Sequence, residues 1–261
     1  MAEEKATFPT EMIELPSKGW LYPAEHPLNK GSVELRYPTA ADEDILTSKN
    51  LIQKGIVLDK FIEAIFIGDK NVLNDMLLGD YDKVMMAARI LAYGGKYDTK
   101  INCPNCGTRN DISIDVMKWE HVSMKEKNYT IGKNEFTFKL PVSKKELTFK
   151  LLTYKDSKDV EIELKRMKKL YGATGVQPEM TSRYKYMITA IDGDADRRTI
   201  NLFVDKEFLL QDSRDFRDYL LTIAPSVNTS YDFVCVECNF EDIIEVPLDA
   251  NFFWPTKHSR K

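Results

Sequence analysis

The architecture of this chain depends on two short cysteine motifs, Cys103-Pro104-Asn105-Cys106-Gly107 and Cys235-Val236-Glu237-Cys238-Asn239. Together they contain all four cysteines of the 261-residue sequence. Two C-x-x-C pairs are typical of a tetrahedral zinc site, in which four thiolates lie about 2.3 Å from the metal. We therefore predict that Cys103, Cys106, Cys235 and Cys238 bind one structural Zn²⁺, although a four-thiolate site also suits iron.

The residues around each pair predict a hairpin whose turn carries the two cysteines. Gly107 and Asn239 follow the second cysteine of each pair, and these residue types tolerate the left-handed conformation that such a turn requires. Strand-like sequence precedes and follows both motifs. Two such hairpins that share a metal form a zinc ribbon.

The spacing between the two motifs is unusual. Cys106 and Cys235 lie 129 positions apart, whereas a compact ribbon separates its pairs by about 15–20 residues. Either a subdomain is inserted between the hairpins, or the pairs do not share a metal. We favour the first interpretation, which gives an α+β fold with a helical N-terminal part, an extended arm, and a zinc ribbon split by an α+β insert.

This interpretation divides the chain into five regions. They are 1–38, an extended arm with a hairpin; 39–96, a helical subdomain; 97–117 with 231–250, the split zinc ribbon; 118–230, the α+β insert; and 251–261, a basic tail. Within the insert, hydrophobic spacing predicts helices over 155–171, 181–191 and 204–223, and strands over 128–139 and 146–153.

The proline- and glycine-rich arm carries apolar and aromatic side chains that we expect to be exposed. Leu15, Trp20 and Tyr22 are the candidate partner-binding residues of this segment. The competing interpretation is that these side chains pack against their own domain.

Composition and charge disfavour several functions. The 37 basic and 41 acidic residues give a net charge of −4, and acidic residues flank both cysteine motifs, so nucleic acid is a poor ligand. A nucleic-acid-binding zinc ribbon stays an alternative that filter binding would test. A thioredoxin-like redox pair would require a helix directly after a C-x-x-C, and neither pair precedes a helical pattern. No arrangement typical of catalysis is recognisable, so we expect a protein that is not an enzyme and has no small-molecule substrate.

The hydropathy pattern predicts a protein without membrane-spanning helices. No apolar run approaches the roughly 18–20 residues that cross a bilayer. The sequence begins Met-Ala-Glu-Glu-Lys, which does not resemble a secretory signal. We therefore expect a soluble protein made in a cytoplasm.

Several segments, in order along the chain, resemble the T4-like bacteriophage baseplate hub assembly family. They are Glu14-Leu15-Pro16-Ser17-Lys18-Gly19, Tyr22-Pro23, the run from Glu34 to Leu46, Leu77-Leu78-Gly79-Asp80, Arg89, Tyr93-Gly94, both cysteine motifs, Val246-Pro247-Leu248 and Phe252-Phe253-Trp254-Pro255. The insert matches this family only loosely. The segment from Leu35 to Ala40 also resembles phage tail assembly chaperones.

This resemblance implies a late bacteriophage protein that promotes assembly of the tail baseplate hub by binding hub or tail proteins. A structural virion component of the same hub is the alternative. The resemblance implies no catalytic residues. It places the protein in the cytoplasm of the infected bacterial host, with the virion baseplate as the other location.

Overall fold

The computed structural model describes residues 8–122, 129–171, 177–248 and 250–253. Residues 254–261 of the predicted tail lie outside this description. Within it the chain has a mixed α/β fold, as the sequence predicts. None of its described helices is both long and apolar enough to cross a membrane.

The N-terminal region begins with an antiparallel hairpin. Strand β1, Thr10–Glu14, pairs with β2, Ser32–Arg36, with Ile13 opposite Val33. Ile13, Val33 and Leu35 are buried because alternate side chains of a strand face the same side. The predicted hairpin in this arm is therefore confirmed.

Helices then dominate up to residue 93. They are α1 (Ala40–Thr47), α2 (Lys49–Lys54), α3 (Val57–Ile65), α4 (Val72–Asp75) and α5 (Leu78–Tyr93), with a short strand β3 (Phe66–Ile67) after α3. Thr39 is the N-cap of α1, in a capping box with Asp42. Both terminal nitrogens of Arg36 donate to the Asp42 carboxylate at 2.7 Å, and these bonds lower the pKa of Asp42 to about 2.

The remaining elements alternate between hairpins and helices. In chain order they are β4 (Lys96–Asn102), β5 (Arg109–Asp115), β6 (His121–Val122), β7 (Phe136–Lys139), β8 (Glu146–Phe149), α6 (Tyr154–Tyr171), α7 (Glu179–Met187), β9 (Ile188–Ile191), α8 (Arg197–Leu202), α9 (Leu210–Ile223), β10 (Ser226–Val227), β11 (Ser230–Val234), β12 (Glu241–Glu245) and α10 (Ala250–Phe253). Strands β7, β8 and β9 form one antiparallel sheet. Strand β6 pairs with β10, so the two ends of the region between the cysteine motifs lie together.

Two predicted helices of the insert are wrong in part. The helix predicted over 181–191 ends at Met187, and Ile188–Ile191 is strand β9, which pairs with β8. Isoleucine and threonine favour a strand once a neighbouring strand offers a buried pairing edge. The helix predicted over 204–223 begins only at Leu210, because Phe203–Glu207 forms a separate π-helical turn.

One large hydrophobic core runs through both the N-terminal part and the insert. Phe61, Phe149 and Phe216 are fully buried members of it, and so are Phe252 and Phe253 near the C-terminal end. A second, small core surrounds the cysteines and contains Cys103, Phe233 and Cys235. The division into five regions stays a prediction.

The expectation that the arm exposes its apolar side chains is wrong for two of the three named residues. Leu15 is 1% exposed and Tyr22 is 5% exposed, because both pack into the large core. Trp20 is partly buried, and its ring stacks on that of Tyr129 at a centroid distance of 5.2 Å. Packing against the parent fold is thus what the structure shows for these side chains, and their partner binding stays an untested prediction.

A buried polar cluster explains why the arm lies so close to the helices. The Tyr22 hydroxyl donates to the Asp80 carboxylate at 2.5 Å and accepts from the Leu77 N–H at 2.9 Å. Both the N–H and the hydroxyl of Ser17 also donate to Asp80, at 2.9 and 2.6 Å. Asp80 is fully buried at the first turn of α5, and burial raises its pKa. The arm is therefore joined to α5 by three hydrogen bonds to one carboxylate.

We predict that Tyr22→Phe destabilises the protein by about 1–3 kcal/mol, since it leaves the buried Leu77 N–H without an acceptor. Tyr37→Phe is the matched control, because Tyr37 is 40% exposed. Urea unfolding of both variants measures the difference. Equal stability of Tyr22→Phe, Tyr37→Phe and the unaltered chain would contradict the structural role of this hydroxyl.

Candidate metal centre

Two antiparallel hairpins carry the cysteine motifs in their turns. Strands β4 and β5 pair from Lys96 opposite Asp115 to Asn102 opposite Arg109. Strands β11 and β12 pair in the same way across the second motif. The two hairpins are far apart in the sequence, yet their turns meet in space, where all four Sγ atoms lie within 4.8 Å of one another.

The first turn is held by its own backbone. The N–H of Cys103 donates to the carbonyl of Thr108 at 2.8 Å, and the N–H of Gly107 donates to the carbonyl of Cys103 at 2.9 Å. Gly107 has φ 75°, in the left-handed region that glycine adopts without steric cost. This geometry brings the chain round so that both cysteine side chains project from the same end of the hairpin.

The second turn repeats this pattern. The N–H of Cys235 donates to the carbonyl of Phe240 at 2.9 Å, and the N–H of Asn239 donates to the carbonyl of Cys235 at 3.1 Å. Asn239 has φ 55°, so it occupies the left-handed position that Gly107 occupies in the first turn. The left-handed residue predicted after each motif is confirmed in both hairpins.

The sulfur positions fit a tetrahedral metal. The Sγ atoms of Cys103 and Cys238 are 3.7 Å apart, and those of Cys106 and Cys235 are 3.6 Å apart. Four sulfurs at the zinc–thiolate distance would be separated by about 3.8 Å. None of the four cysteines is in a disulfide. The predicted ligand residues are therefore brought together, and both of these contacts join one hairpin to the other.

Burial and hydrogen bonds act differently on the pKa values of three of the thiols, those of Cys103, Cys106 and Cys235. Backbone N–H groups of Cys238 and Glu237 lower the pKa of the Cys235 thiol to about 6. The Thr108 hydroxyl and N–H lower the pKa of Cys106, whereas burial raises the pKa of Cys103 to about 11. Donors directed at sulfur favour the thiolate, which is the form that binds metal.

Asn110 contacts the cysteine cluster, and the sequence prediction did not name it. Its side chain is buried, donates to the Cys235 Sγ at 3.7 Å, and accepts from the Val236 N–H at 2.8 Å. The same amide nitrogen donates to the Thr108 carbonyl at 2.8 Å. Asn110 thus connects the first hairpin to the Cys235 sulfur and to the backbone of the second hairpin. In the sequence, its position four residues after Cys106 was the only feature that could have suggested a contact with the cysteines.

The hairpins also share apolar packing below the sulfurs. Phe233 is 1% exposed and lies with Cys103 and Cys235 in the small core. Partly buried side chains from both hairpins surround it: Ile101, Tyr231, Phe240 and Ile244. Cys103 and Cys235 are buried on one side of the cluster, and Cys106 and Cys238 lie at the surface on the other. Four cysteine sulfurs complete a tetrahedral set of ligands, which is typical of a structural metal site.

We predict that Cys103→Ser and Cys235→Ser each reduce bound metal and lower the free energy of unfolding. The loss would be about 4 kcal/mol at a free metal concentration 1,000 times the dissociation constant. Elemental analysis and thermal unfolding with and without a chelator measure both effects. Variants that retain the full metal content and the melting temperature of the unaltered chain would contradict a shared site.

A second prediction concerns Asn110. Asn110→Ala should weaken metal binding about 10- to 100-fold, as removal of a hydrogen-bond partner of a metal ligand does. The matched control is Asn105→Ala, because Asn105 also donates to a ligand, the Cys238 Sγ at 3.7 Å, but from an exposed position. Competition with a chromogenic chelator measures the affinities. An equal or larger effect of Asn105→Ala would contradict the bridging role of Asn110.

Comparison with known proteins identifies the family. A search of curated proteins finds no match to this chain, and a search of solved structures finds none either. The sequence model of the family described as T4 bacteriophage base plate protein matches residues 20–254. This match includes both cysteine motifs, α5 with its buried Asp80, and the C-terminal Phe252 and Phe253. The chain therefore belongs to the T4 bacteriophage base plate protein family.

Proposed function

We propose that this chain is a non-enzymatic assembly protein of the tail baseplate hub, which binds hub proteins and contains one structural zinc ion. Family membership over residues 20–254 is the observation that carries the proposal. A base plate protein works among other base plate proteins, so a protein-binding role follows directly from it. The narrower role at the hub rests on the resemblance of the N-terminal segments to hub assembly proteins.

The cysteine cluster supports the zinc part of the proposal. Cys103, Cys106, Cys235 and Cys238 would hold the ion, and the two hairpins would then form a zinc ribbon split by the intervening region. Bound zinc would stabilise the contact between hairpins that are 129 positions apart in the chain. Its chemistry here would be structural, because four thiolates complete a tetrahedral shell and leave no position for a substrate.

The partners of the buried carboxylates support a role without catalysis. Asp80 accepts hydrogen bonds from Ser17 and Tyr22, and Asp42 is paired with Arg36. Asp212 accepts from the N–H groups of Val142 and Ser143 at 2.7 and 3.0 Å. Each carboxylate is thus engaged in holding a segment of backbone or an arginine in place.

The charge of the second hairpin opposes nucleic-acid binding. Residues 230–245 contain five acidic side chains and no basic one: Asp232, Glu237, Glu241, Asp242 and Glu245. A phosphate backbone would be repelled by this surface. Of the two alternatives to an assembly role, the family description favours the second over nucleic-acid binding. In that alternative the protein stays in the particle as a structural component of the hub.

Quantitative peptide mass spectrometry on purified virions and on a lysate of infected cells tests the proposal. For an assembly protein we expect abundant peptides in the lysate and none in virions. A phage with this reading frame deleted should accumulate unassembled hub proteins, and a supplied copy should restore assembly. A few copies in each virion would favour the structural alternative, and normal hubs in the deletion phage would contradict both roles.

A further inference from the structure

An apolar cleft lies between helices α7 and α9, outside the metal centre. Its volume is about 410 Å³, which is within the range of ligand and side-chain binding pockets. Met180 of α7 and Leu220 of α9 line its walls. Leu77 and Leu152 line it as well, so the cleft lies where the N-terminal part meets the insert.

The lining of this cleft has a net positive charge, because it contains Arg183 and Arg217 but only one acidic residue, Glu179. Arg217 lines the cleft from α9 and forms no ion pair with any of the described residues. Arg183 lines it from α7, where it pairs with Glu179 at 3.3 Å, and both of these side chains are well exposed. A pair of this kind contributes little stability. The cleft therefore combines apolar walls with guanidinium groups that are available to a carboxylate.

Helix α9 continues this surface beyond the cleft. Leu210 is 82% exposed and Leu221 is 79% exposed. The spacing of Leu210, Arg214, Arg217 and Leu221 places them along one side of the helix. Asp218 is also exposed on this side of α9. Because the two arginines outnumber it, the net charge of this side is positive. Two exposed leucines with arginines between them match a partner segment that alternates apolar and acidic residues.

We propose that the cleft between α7 and α9 binds an apolar and acidic segment of another base plate protein. A large apolar side chain of the partner would fill the cleft between Met180 and Leu220, and a carboxylate near it would pair with Arg217. This mode of recognition, an amphipathic segment in an apolar groove, gives affinity through burial and specificity through charge. This inference rests on the proposed function, because it specifies the surface through which the protein would bind its partner.

Site-specific photocrosslinking in infected cells tests this assignment. A benzophenone amino acid replaces Met180 in the full-length chain, supplied to a phage with this reading frame deleted, and mass spectrometry identifies the crosslinked peptide. We expect a base plate protein segment in which a large apolar residue lies within one helical turn of Asp or Glu. The same probe at Ile131, which is 73% exposed, is the positional control and should not capture that segment.

Charge reversal then tests the role of Arg217. Arg217→Glu should reduce the crosslink about tenfold through repulsion of the carboxylate. Arg198→Glu, at another exposed arginine, should leave it unchanged. Crosslinks that are insensitive to Arg217→Glu, or that reach only a second copy, lipid or nucleic acid, would overturn the assignment. The assignment would also be overturned if the labelled chain restored phage assembly without forming a crosslink. That result would not contradict the proposed function.

Discussion

The two cysteine hairpins are joined where four sulfur atoms meet, and their turns are 129 positions apart in the chain. A hairpin of two strands is marginally stable alone, because it buries little apolar surface. Here the two hairpins contact each other through sulfur–sulfur distances of 3.6 and 3.7 Å, through the Asn110 side chain, and through a small core around Phe233. Metal binding at such a cluster is coupled to folding, because the four ligands come together only in the native chain.

Two other polar contacts join helix α5 to distant parts of the chain. Arg89 is buried on α5 and donates to the carbonyls of Phe252, Gly94 and Lys96 at 2.9–3.0 Å. It therefore joins the last helix, the end of α5 and the start of β4. At the other end of α5, Asp80 holds the N-terminal arm. One helix thus connects the arm, the first hairpin and the C-terminal segment.

Local chemistry explains what could be predicted from the sequence. The ligand cysteines, the left-handed Gly107 and Asn239, and the arm hairpin follow from short-range spacing and residue type. The misses involve long-range packing. Leu15 is buried in the large core, Tyr22 is hydrogen-bonded to Asp80 of α5, and Ile188–Ile191 became a strand because β8 lies beside it. Asn110 was missed for the same reason, since its partners Cys235 and Val236 are more than a hundred positions away.

Extended X-ray absorption at the zinc edge, combined with elemental analysis of the purified chain, tests whether the four cysteines share one metal ion. We predict one zinc ion per chain, surrounded by four sulfur atoms at about 2.3 Å. Two metal ions per chain, or a shell in which nitrogen or oxygen replaces two of the sulfurs, would show that the two cysteine pairs do not share a site. In that case the contact between the hairpins would have to rest on Asn110 and the core around Phe233 alone.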